Sequence, residues 1–247
     1  MNEFAHDSIK PFSDNDSKKE QVSAMFDAIA PRYDFMNTFL SAGIDVLWRK
    51  KAIKLLKKTN PQSLLDVAAG TGDMSIMAAK FLQTPKIIGI DISEQMLAIG
   101  RKKIEQKGFN DRIELQTGDS EAINFPDNSF DAVMVAFGVR NFENLEKGLQ
   151  EIYRVMKPKG KLVILEFSKP VIPGVKNLYN LYMGIIAPQI AGWFTHNKEA
   201  YQYLNKSARA FPDRKHFVDI LNRTGFIQAS FISLSLGICC IYEGRKA

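Results

Sequence analysis

The residues most able to do chemistry in this 247-residue chain lie in an acidic, glycine-rich turn after an apolar run. Residues 64–67 (Leu-Leu-Asp-Val) predict a buried strand, and residues 68–73 predict a tight loop that contains Gly70 and Gly72. Glycines in such a loop let a nucleotide-like ligand approach the backbone closely. A third glycine would complete the dinucleotide pattern G-x-G-x-x-G, but Ser75 stands in its place.

Carboxylates flank this turn on both sides. Asp66 precedes it and Asp73 follows it, which makes the loop a poor setting for a pyrophosphate and a good one for a positively charged ligand. S-adenosylmethionine carries a sulfonium and an ammonium group and fits that description. The alternative interpretation is an ordinary glycine-rich turn between a strand and a helix.

Further strands alternate with helices along the chain. Strands are predicted at residues 86–91, 112–117, 130–136 and 161–167, with helices at 93–107 and 145–156 between them. This alternation predicts an α/β fold with a doubly wound parallel sheet. Ligands of such sheets bind outside the carboxyl ends of the strands, near the reversal of strand order.

Polar residues stand at these strand ends. Asp91 follows Gly70 by 21 residues, a spacing at which an acid can accept hydrogen bonds from both ribose hydroxyls of an adenosine. Asp119 and Ser120, after the third strand, could reach the adenine amine. One acid at a strand end is weak evidence, whereas several in order indicate a nucleoside site.

Other segments fall outside the alternation. Residues 1–20 are polar and predict a flexible tail, followed by a single domain over residues 21–247. Residues 22–56 predict a helical lead-in, and residues 171–210 an insertion after the fifth strand. We interpret the insertion as a helical cap over the site, the alternative being a buried helix pair. Two closing strands are predicted near the C-terminus, at residues 226–234 and 238–243.

Composition limits the classes of function. The formal net charge of +6 fits a nucleic acid, an anionic membrane surface or simple solvation. The two cysteines, Cys239 and Cys240, are adjacent and cannot form a disulfide framework, so we expect a reducing, cytoplasmic environment. The N-terminal residues do not resemble a signal peptide. No Cys/His spacing predicts a metal site.

The strand-end pattern resembles that of the class I S-adenosylmethionine-dependent methyltransferases. Residues 33–37 (Tyr-Asp-Phe-Met-Asn) and 43–49 resemble the first signature of the ubiquinone/menaquinone-biosynthesis C-methyltransferases. Residues 137–141 (Phe-Gly-Val-Arg-Asn), 153–158 and 165–170 resemble the second. The resemblance runs from about residue 22 to the C-terminus. It implies a Rossmann-like, mostly parallel sheet with a C-terminal antiparallel strand, N-terminal helices and the cap.

The resemblance also implies C-methylation of a polyprenylated hydroquinone by S-adenosylmethionine. A ring carbon becomes nucleophilic when an adjacent phenol loses its proton, and we expect Arg140 to stabilise the developing phenolate. Asn141 and Tyr33 would position the quinol oxygens. The alternative for Arg140 is a surface ion pair with Glu143 or Glu146. The residues expected to hold the cofactor are Asp66, Gly70, Thr71, Gly72, Asp91, Asp119, Ser120 and Ala136.

Residues 237–246 resemble the menaquinone branch of the family, which predicts 2-demethylmenaquinol as the substrate. The benzoquinol precursor of ubiquinone, another small molecule, or cofactor binding without chemistry are the alternatives. A nucleic-acid methyltransferase is disfavoured because no proline follows the fourth strand. The expected partners are therefore a polyprenylated quinol, the inner face of a membrane bound through basic residues near 49–51 and the cap, and a second copy of the chain, but no nucleic acid.

Overall fold

The computed structural model of the chain describes residues 4–12, 16–181, 189 and 198–247. The strands in this part of the chain are β1 Ser63–Val67, β2 Lys86–Asp91, β3 Ile113–Thr117, β4 Phe130–Ala136, β5 Met156–Phe167, β6 Ile227–Leu234 and β7 Cys239–Arg245. They form one sheet in the order β3-β2-β1-β4-β5-β7-β6. The strands from β3 to β5 pair in parallel, and β7 is antiparallel to both of its neighbours. The predicted mixed sheet with an antiparallel C-terminal strand is confirmed.

The helices of the described part are α1 Lys18–Leu40, α2 Ile44–Lys57, α3 Asp73–Phe81, α4 Glu94–Gln106, α5 Leu145–Val155, α6 Pro173–Leu181, α7 Lys198–Ala210 and α8 Lys215–Arg223. Apolar residues of α5 and α8 pack on one face of the sheet, and those of α2, α3 and α4 pack on the other. Strand order reverses between β1 and β4, so a crevice at their carboxyl ends is the expected ligand site.

Alternation along the strands divides the core into its two layers. In β4, Val133 and Val135 belong to one buried cluster, whereas Ala132 and Met134 belong to the other. Successive side chains of a strand point to opposite faces of the sheet, and both faces of β4 are covered by helices. A continuous apolar run is therefore the correct pattern for this strand.

Local sequence explains most element boundaries. The Ser93 side chain accepts a hydrogen bond from the backbone N–H of Met96 and caps α4, near the predicted start of this helix. Strand β5 differs from its prediction, because it begins at Met156 rather than Lys161. Residues 157–160 continue the strand through an irregular register in which Phe130 pairs with Met156 and Ala132 with Lys161.

The predicted flexible tail over residues 1–20 needs correction where the structure describes it. His6 and Asp7 are buried, and α1 already begins at Lys18. The buried Lys18 Nζ donates hydrogen bonds to the carbonyl oxygens of His6 and Phe142, both at 2.8 Å, and of Arg140 at 3.4 Å. Burial lowers the pKa of Lys18 to about 8. The N-terminal segment is thereby attached to the loop that follows β4, a long-range contact that composition could not reveal.

The predicted cap over residues 171–210 is represented by α6 and α7, whereas residues 182–188 and 190–197 lie outside the described part. Among the described helices, none combines the length and apolar character needed to cross a bilayer. Cys239 and Cys240 are free, buried and divided between the two core layers, as their adjacency on a strand predicted.

Candidate functional site

A cleft opens at the carboxyl ends of β1, β2 and β4, where strand order reverses. Many of the predicted site residues meet there although they are distant in sequence. The predicted residues that line the cleft are Tyr33, Gly70, Asp91, Asp119, Ser120, Ala136 and Asn141. The sequence prediction therefore located the crevice, and the remaining predicted residues lie around it.

The glycine loop is held against the neighbouring strand end by Asp91. Its Oδ2 accepts a hydrogen bond from the Gly70 N–H at 2.8 Å, and its Oδ1 accepts one from the Ser93 N–H at 2.9 Å. Burial raises the pKa of Asp91, and these backbone donors oppose the rise. A carboxylate has about four lone-pair sites, so Asp91 can still accept hydrogen bonds from a ligand in the cleft.

Two glycines allow the glycine loop and the end of β4 to pack closely. Gly72 has a φ of +75°, a left-handed conformation that glycine adopts without steric cost. At the end of β4, a Cβ on Gly138 would lie only 2.5 Å from the Ala68 Cβ. The β1 and β4 ends therefore approach each other so closely that only glycine fits at position 138.

Asp66 lies beneath the loop rather than in the wall of the cleft. It is fully buried, and its Oδ2 accepts a 2.7 Å hydrogen bond from the Ser75 hydroxyl. Its Oδ1 is buried without a partner. Burial raises the pKa of Asp66 to about 7, with the Ser75 hydrogen bond opposing the rise. The predicted contact of Asp66 with a cationic group of the cofactor therefore stays a prediction.

Thr71 also lies outside the cleft wall. Its hydroxyl donates a 2.6 Å hydrogen bond to Asp34 of α1, and Lys103 of α4 donates to both residues. Lys103 contacts Asp73 as well. This polar cluster ties the glycine loop to α1. The Thr71 side chain therefore fixes the loop in this structure, and its predicted contact with the cofactor stays a prediction.

Asp119 has a partner that the sequence did not indicate. Lys19 of α1 lines the cleft, and its ammonium group lies 2.6 Å from Asp119 Oδ2. Asp119 Oδ1 accepts a hydrogen bond from the Glu121 backbone. Lys19 was missed because it stands in the segment read as a tail. A basic pair directly before a helical pattern was the only available signal.

Arg140 is buried, with 3% of its surface exposed, and pairs with the fully buried Glu166 at the end of β5. Arg140 Nη1 lies 2.6 Å from Glu166 Oε1 and also donates to the Phe137 carbonyl oxygen at 2.7 Å. Burial raises the pKa of Glu166, and the charge of Arg140 opposes the rise. The alternative of a surface pair with Glu143 or Glu146 is wrong, since the arginine points inward to another strand.

Part of the buried Arg140 guanidinium makes no hydrogen bond within the described residues. Its Nε is buried without a partner, and its Nη2 makes no hydrogen bond within the described residues. The Phe167 ring lies beneath the group, with its centroid 5.3 Å from Cζ. Buried donors without partners are rare in folded proteins. They indicate that an oxygen of a bound molecule completes this site.

Tyrosines from separate elements surround the Arg140 group. Tyr33 of α1 lines the cleft, and Tyr203 of α7 donates a 3.2 Å hydrogen bond to Asn141 Oδ1. Burial raises the pKa of Tyr33 and of Tyr203, while the positive charge of Arg140 lowers both. These phenols therefore stay protonated at neutral pH. Tyr203 was not predicted, because its helix belongs to the insertion.

The residues present fit S-adenosylmethionine. The Asp91 carboxylate lies beside the glycine loop and keeps lone pairs free for the ribose hydroxyls. Asp66 has an unpaired carboxylate oxygen beneath the same loop. Asp119 and Ser120 stand at the next strand end, and Ala136 leaves space beside β4. Among the described residues, no group of three or more His, Cys, Asp or Glu side chains is arranged to hold a metal ion.

Solved structures share this architecture. A methyltransferase from Thermotoga maritima, described as S-adenosylmethionine-dependent and a possible histamine N-methyltransferase, has a TM-score of 0.64 at 19% identity, covering 91% of this chain and 99% of that chain. A protein from Methanococcus maripaludis assigned to the S-adenosyl-L-methionine-dependent methyltransferases has a TM-score of 0.62 at 21% identity, with coverages of 96% and 97%. At these identities the likeness concerns the fold, which is that of the class I S-adenosylmethionine-dependent methyltransferases.

The family follows from sequence. The model of the ubiE/COQ5 methyltransferase family matches residues 14–246, and the chain belongs to that family. A demethylmenaquinone methyltransferase of Bacteroides fragilis is 44% identical over 98% of this chain and 99% of its own length. The corresponding protein of Porphyromonas gingivalis is 40% identical over 96% and 98%. A ubiquinone/menaquinone biosynthesis C-methyltransferase of Geotalea daltonii is 42% identical over 93% and 97%.

Proposed function

We propose that this protein transfers a methyl group from S-adenosylmethionine to a ring carbon of 2-demethylmenaquinol, giving menaquinol. The proposal is supported by the relatives named demethylmenaquinone methyltransferase, at 40–44% identity over nearly the whole chain. The observation that carries it is the buried Arg140, whose Nε has no partner and whose charge acts on Tyr33 in the cleft wall. In the overall reaction the ring carbon gains a methyl group and loses its hydrogen as a proton.

Arg140 is proposed to act on the quinol oxygen. As a hydroxyl of the quinol loses its proton, negative charge develops on the oxygen and, by conjugation, on the ring carbon. A guanidinium stays protonated in proteins and cannot serve as the base. It can stabilise the phenolate through its free N–H donors in a site shielded from water. Glu166 holds the guanidinium in place through the 2.6 Å contact.

The neighbouring polar groups are proposed to orient the ring. The Asn141 amide and the Tyr33 phenol reach the same cleft from different elements. Tyr203 fixes Asn141 from α7, so the insertion positions a group that contacts the substrate. When bound, the cofactor supplies an electrophilic methyl group on a sulfonium centre. The protein then has to place the ring and exclude water.

The affinity for S-adenosylhomocysteine is expected to rise with pH up to about 7 and then to level off, following the Asp66 pKa of about 7. Below that pH the carboxyl group is neutral and attracts the ligand ammonium group less strongly. The dissociation constant should therefore increase by up to about tenfold for each pH unit below 7. Calorimetric titrations between about pH 5.5 and 8.5 measure this profile.

An Asp66→Asn variant supplies the control. Asparagine is nearly isosteric and uncharged, so its weaker binding of S-adenosylhomocysteine should not vary with pH. A flat profile in the unaltered protein would remove Asp66 from the cofactor site. A sloping profile in the variant would assign the pH dependence to another group.

The activity itself is tested with labelled S-adenosylmethionine and chemically reduced quinones. The expected result is label in demethylmenaquinol and none in the benzoquinol precursor of ubiquinone. Label in both would assign the protein to dual specificity within the same chemistry. Cofactor binding with label in neither would contradict the proposal.

A polyprenylated quinol resides in a membrane, so the protein is proposed to work in peripheral contact with the bilayer surface. Of the basic residues predicted to contact it, Arg49 is instead buried and pairs with Asp45. The exposed lysines of α2 support such contact, since Lys50, Lys51 and Lys54 have no ion-pair partners among the described residues. The homodimer expected from the sequence stays a prediction, for which analytical ultracentrifugation is the direct measurement.

A further inference from the structure

A second, positively charged pocket lies where the chain leaves β5 and where α7 ends. None of the residues that line it has been assigned above to the cofactor or to the substrate. The residues that line it are Lys169, Pro170, Val171, Lys176, Tyr179, Arg209, Asp213 and Arg214. Four of these side chains are cationic and one is anionic, so the pocket carries an excess of positive charge.

The one carboxylate in the pocket is engaged from several sides. Asp213 Oδ2 accepts hydrogen bonds from the Ser168 hydroxyl at 2.6 Å and from the Lys169 N–H at 2.9 Å. The cationic groups of Lys169 and Arg214 lie 3.7 and 3.5 Å from the carboxylate. Burial raises the pKa of Asp213, but these donors and cations more than offset it and hold the pKa below its ordinary value.

The cations themselves are mostly bound to neutral groups. Lys169 Nζ donates to the carbonyl oxygens of Arg209 and Phe211, each at 3.1 Å. Arg214 Nη2 donates to the Lys169 and Gly237 carbonyl oxygens. Carbonyl groups position a cation without cancelling its charge. Lys169 and Arg214 are thus held in place while sharing the single carboxylate of Asp213, which leaves a net positive charge in the pocket.

Lys176 adds a cation that makes no ion pair within the described residues. It lies on the exposed surface of α6, one turn from Tyr179, which lines the same pocket. Its side chain is exposed, so we expect the fold to tolerate reversal of its charge.

An exposed apolar rim surrounds this pocket. The exposed residues nearest to it along the chain are Val171, Ile172, Leu178 and Leu181, on or directly before α6. Large exposed apolar groups around a charged pocket are typical of surfaces that contact a partner or a membrane. Cationic groups within an apolar rim match the arrangement of phosphates above acyl chains.

The turn between β6 and β7 extends the rim. Leu236 is 64% exposed and has a φ of +57°, and Ser235 before it also has a positive φ. Left-handed conformations are costly for residues other than glycine, asparagine and aspartate. Successive positive φ values are the geometry of a tight turn between antiparallel strands, and this turn leaves the Leu236 side chain in solvent.

This turn is continuous with the pocket and with α2. Arg214 contacts the Gly237 carbonyl oxygen at 3.2 Å, and the Ser235 hydroxyl accepts a 2.9 Å hydrogen bond from Trp48 of α2. Ile44 and Leu47, at the start of α2, are exposed as well. The rim thus runs from α2 across the turn to α6, on the side of the sheet where the cleft opens.

The pocket also adjoins the Arg140 site. Burial raises the pKa of Tyr179 to about 12, and the nearby positive charges of Arg209 and Arg140 lower it. Tyr179 lines the cationic pocket and lies close enough to Arg140 for that charge to act on its phenol. A lipid phosphate in the pocket would place the bilayer beside the path to Arg140.

We propose that this pocket binds the phosphate of an anionic phospholipid in a membrane, with Leu236, Val171 and Ile172 entering the interface around it. The docking inference rests on the proposed function only in requiring a membrane-borne substrate. It names a binding site and a ligand class that the methyl-transfer reaction does not itself need.

The test is co-sedimentation of the full-length protein with vesicles of phosphatidylcholine, with and without phosphatidylglycerol. The unaltered protein should bind only the vesicles that contain phosphatidylglycerol. Lys176→Glu and Leu236→Asn should each weaken this binding by about tenfold or more. Asparagine tolerates the left-handed conformation, so the turn keeps its shape.

Matched controls lie at the opposite edge of the sheet. Lys86, at the start of β2, and Phe81, at the end of α3, are both exposed. Lys86→Glu and Phe81→Asn should leave vesicle binding unchanged. All four variants should methylate a short-chain, water-soluble demethylnaphthoquinol at the unaltered rate when vesicles are absent.

Vesicle binding is measured without substrate, so its outcome is separate from that of the methylation assay. Undiminished binding by Lys176→Glu and Leu236→Asn would overturn the docking proposal, as would equal losses in the controls. A final experiment tests whether inorganic phosphate binds to the pocket. If it binds in the pocket while Lys176→Glu leaves vesicle binding intact, the pocket is a site for a free anion, which also overturns the proposal. Loss of methylation by the unaltered protein would affect the proposed function alone.

Discussion

Replacing Arg140 by lysine is expected to lower the turnover number by about 100-fold and to leave the dissociation constant for S-adenosylmethionine unchanged. Lysine keeps the charge that Glu166 requires but lacks the planar group whose Nε and Nη2 are free for the quinol oxygen. The cofactor-binding carboxylates belong to other strand ends, so cofactor affinity should not respond. Single-turnover kinetics with a reduced short-chain quinol, together with calorimetry, measure the two quantities.

The control for this experiment has to separate a loss of activity from a loss of stability, because Arg140 and Glu166 form a buried ion pair. Removing Arg140 alone leaves the fully buried Glu166 uncompensated, which costs about 3–5 kcal/mol of stability. The double variant Arg140→Met with Glu166→Gln removes both charges together and should fold while remaining slow. Arg223→Lys, at an exposed arginine, is the matched surface control. Normal turnover by a folded double variant would exclude Arg140 from the reaction.

Replacing Asp91 by alanine is expected to weaken cofactor binding and to leave the turnover number almost unchanged, the opposite of the result for Arg140. The dissociation constant for S-adenosylmethionine should rise by about 100-fold, because two hydrogen bonds from ribose hydroxyls to a carboxylate are lost, each worth about 1.5–3 kcal/mol before the site adjusts. Turnover at saturating cofactor should change little if Asp91, which lines the cleft, contacts only the cofactor as proposed. Calorimetry and steady-state kinetics separate affinity from turnover.

Asp91 also fixes the glycine loop through the Gly70 N–H, so the fold of the variant is checked by its melting temperature. Asp111→Ala, at an exposed turn position, is the control that removes an aspartate without touching the cleft. An Asp91→Ala protein that binds cofactor normally would show that the ribose is held elsewhere.

Local patterns carried the predictions that the structure confirms. The β4 bounds agree because its apolar run is buried on both faces, and Ser93 caps α4 because capping depends on neighbours only three residues away. The strand-end acid Asp91 meets Gly70 because the parallel topology brings successive strand ends to one edge. Periodicity and topology together therefore determine the position of the cleft.

The groups that sequence reasoning missed are those defined by long-range contacts. Arg140 and Glu166 are 26 residues apart, and Tyr203 reaches Asn141 across 62 residues. Lys19 contacts Asp119 from the segment interpreted as a tail. Arg140, Asn141 and Asp119 were predicted as site residues, but no local pattern encodes their pairing with Glu166, Tyr203 and Lys19.

Helix α1 spans both halves of the cleft, and this has a thermodynamic consequence. On the cofactor side its Asp27 accepts a 2.6 Å hydrogen bond from Ser93, directly beyond Asp91. Further along, the same helix presents Tyr33 to the cleft and Asp34 to the glycine loop. A ligand that fixes α1 reduces the entropy cost left for the second ligand. If cofactor and quinol bind on the two sides proposed, each is expected to raise the affinity of the other by the same factor.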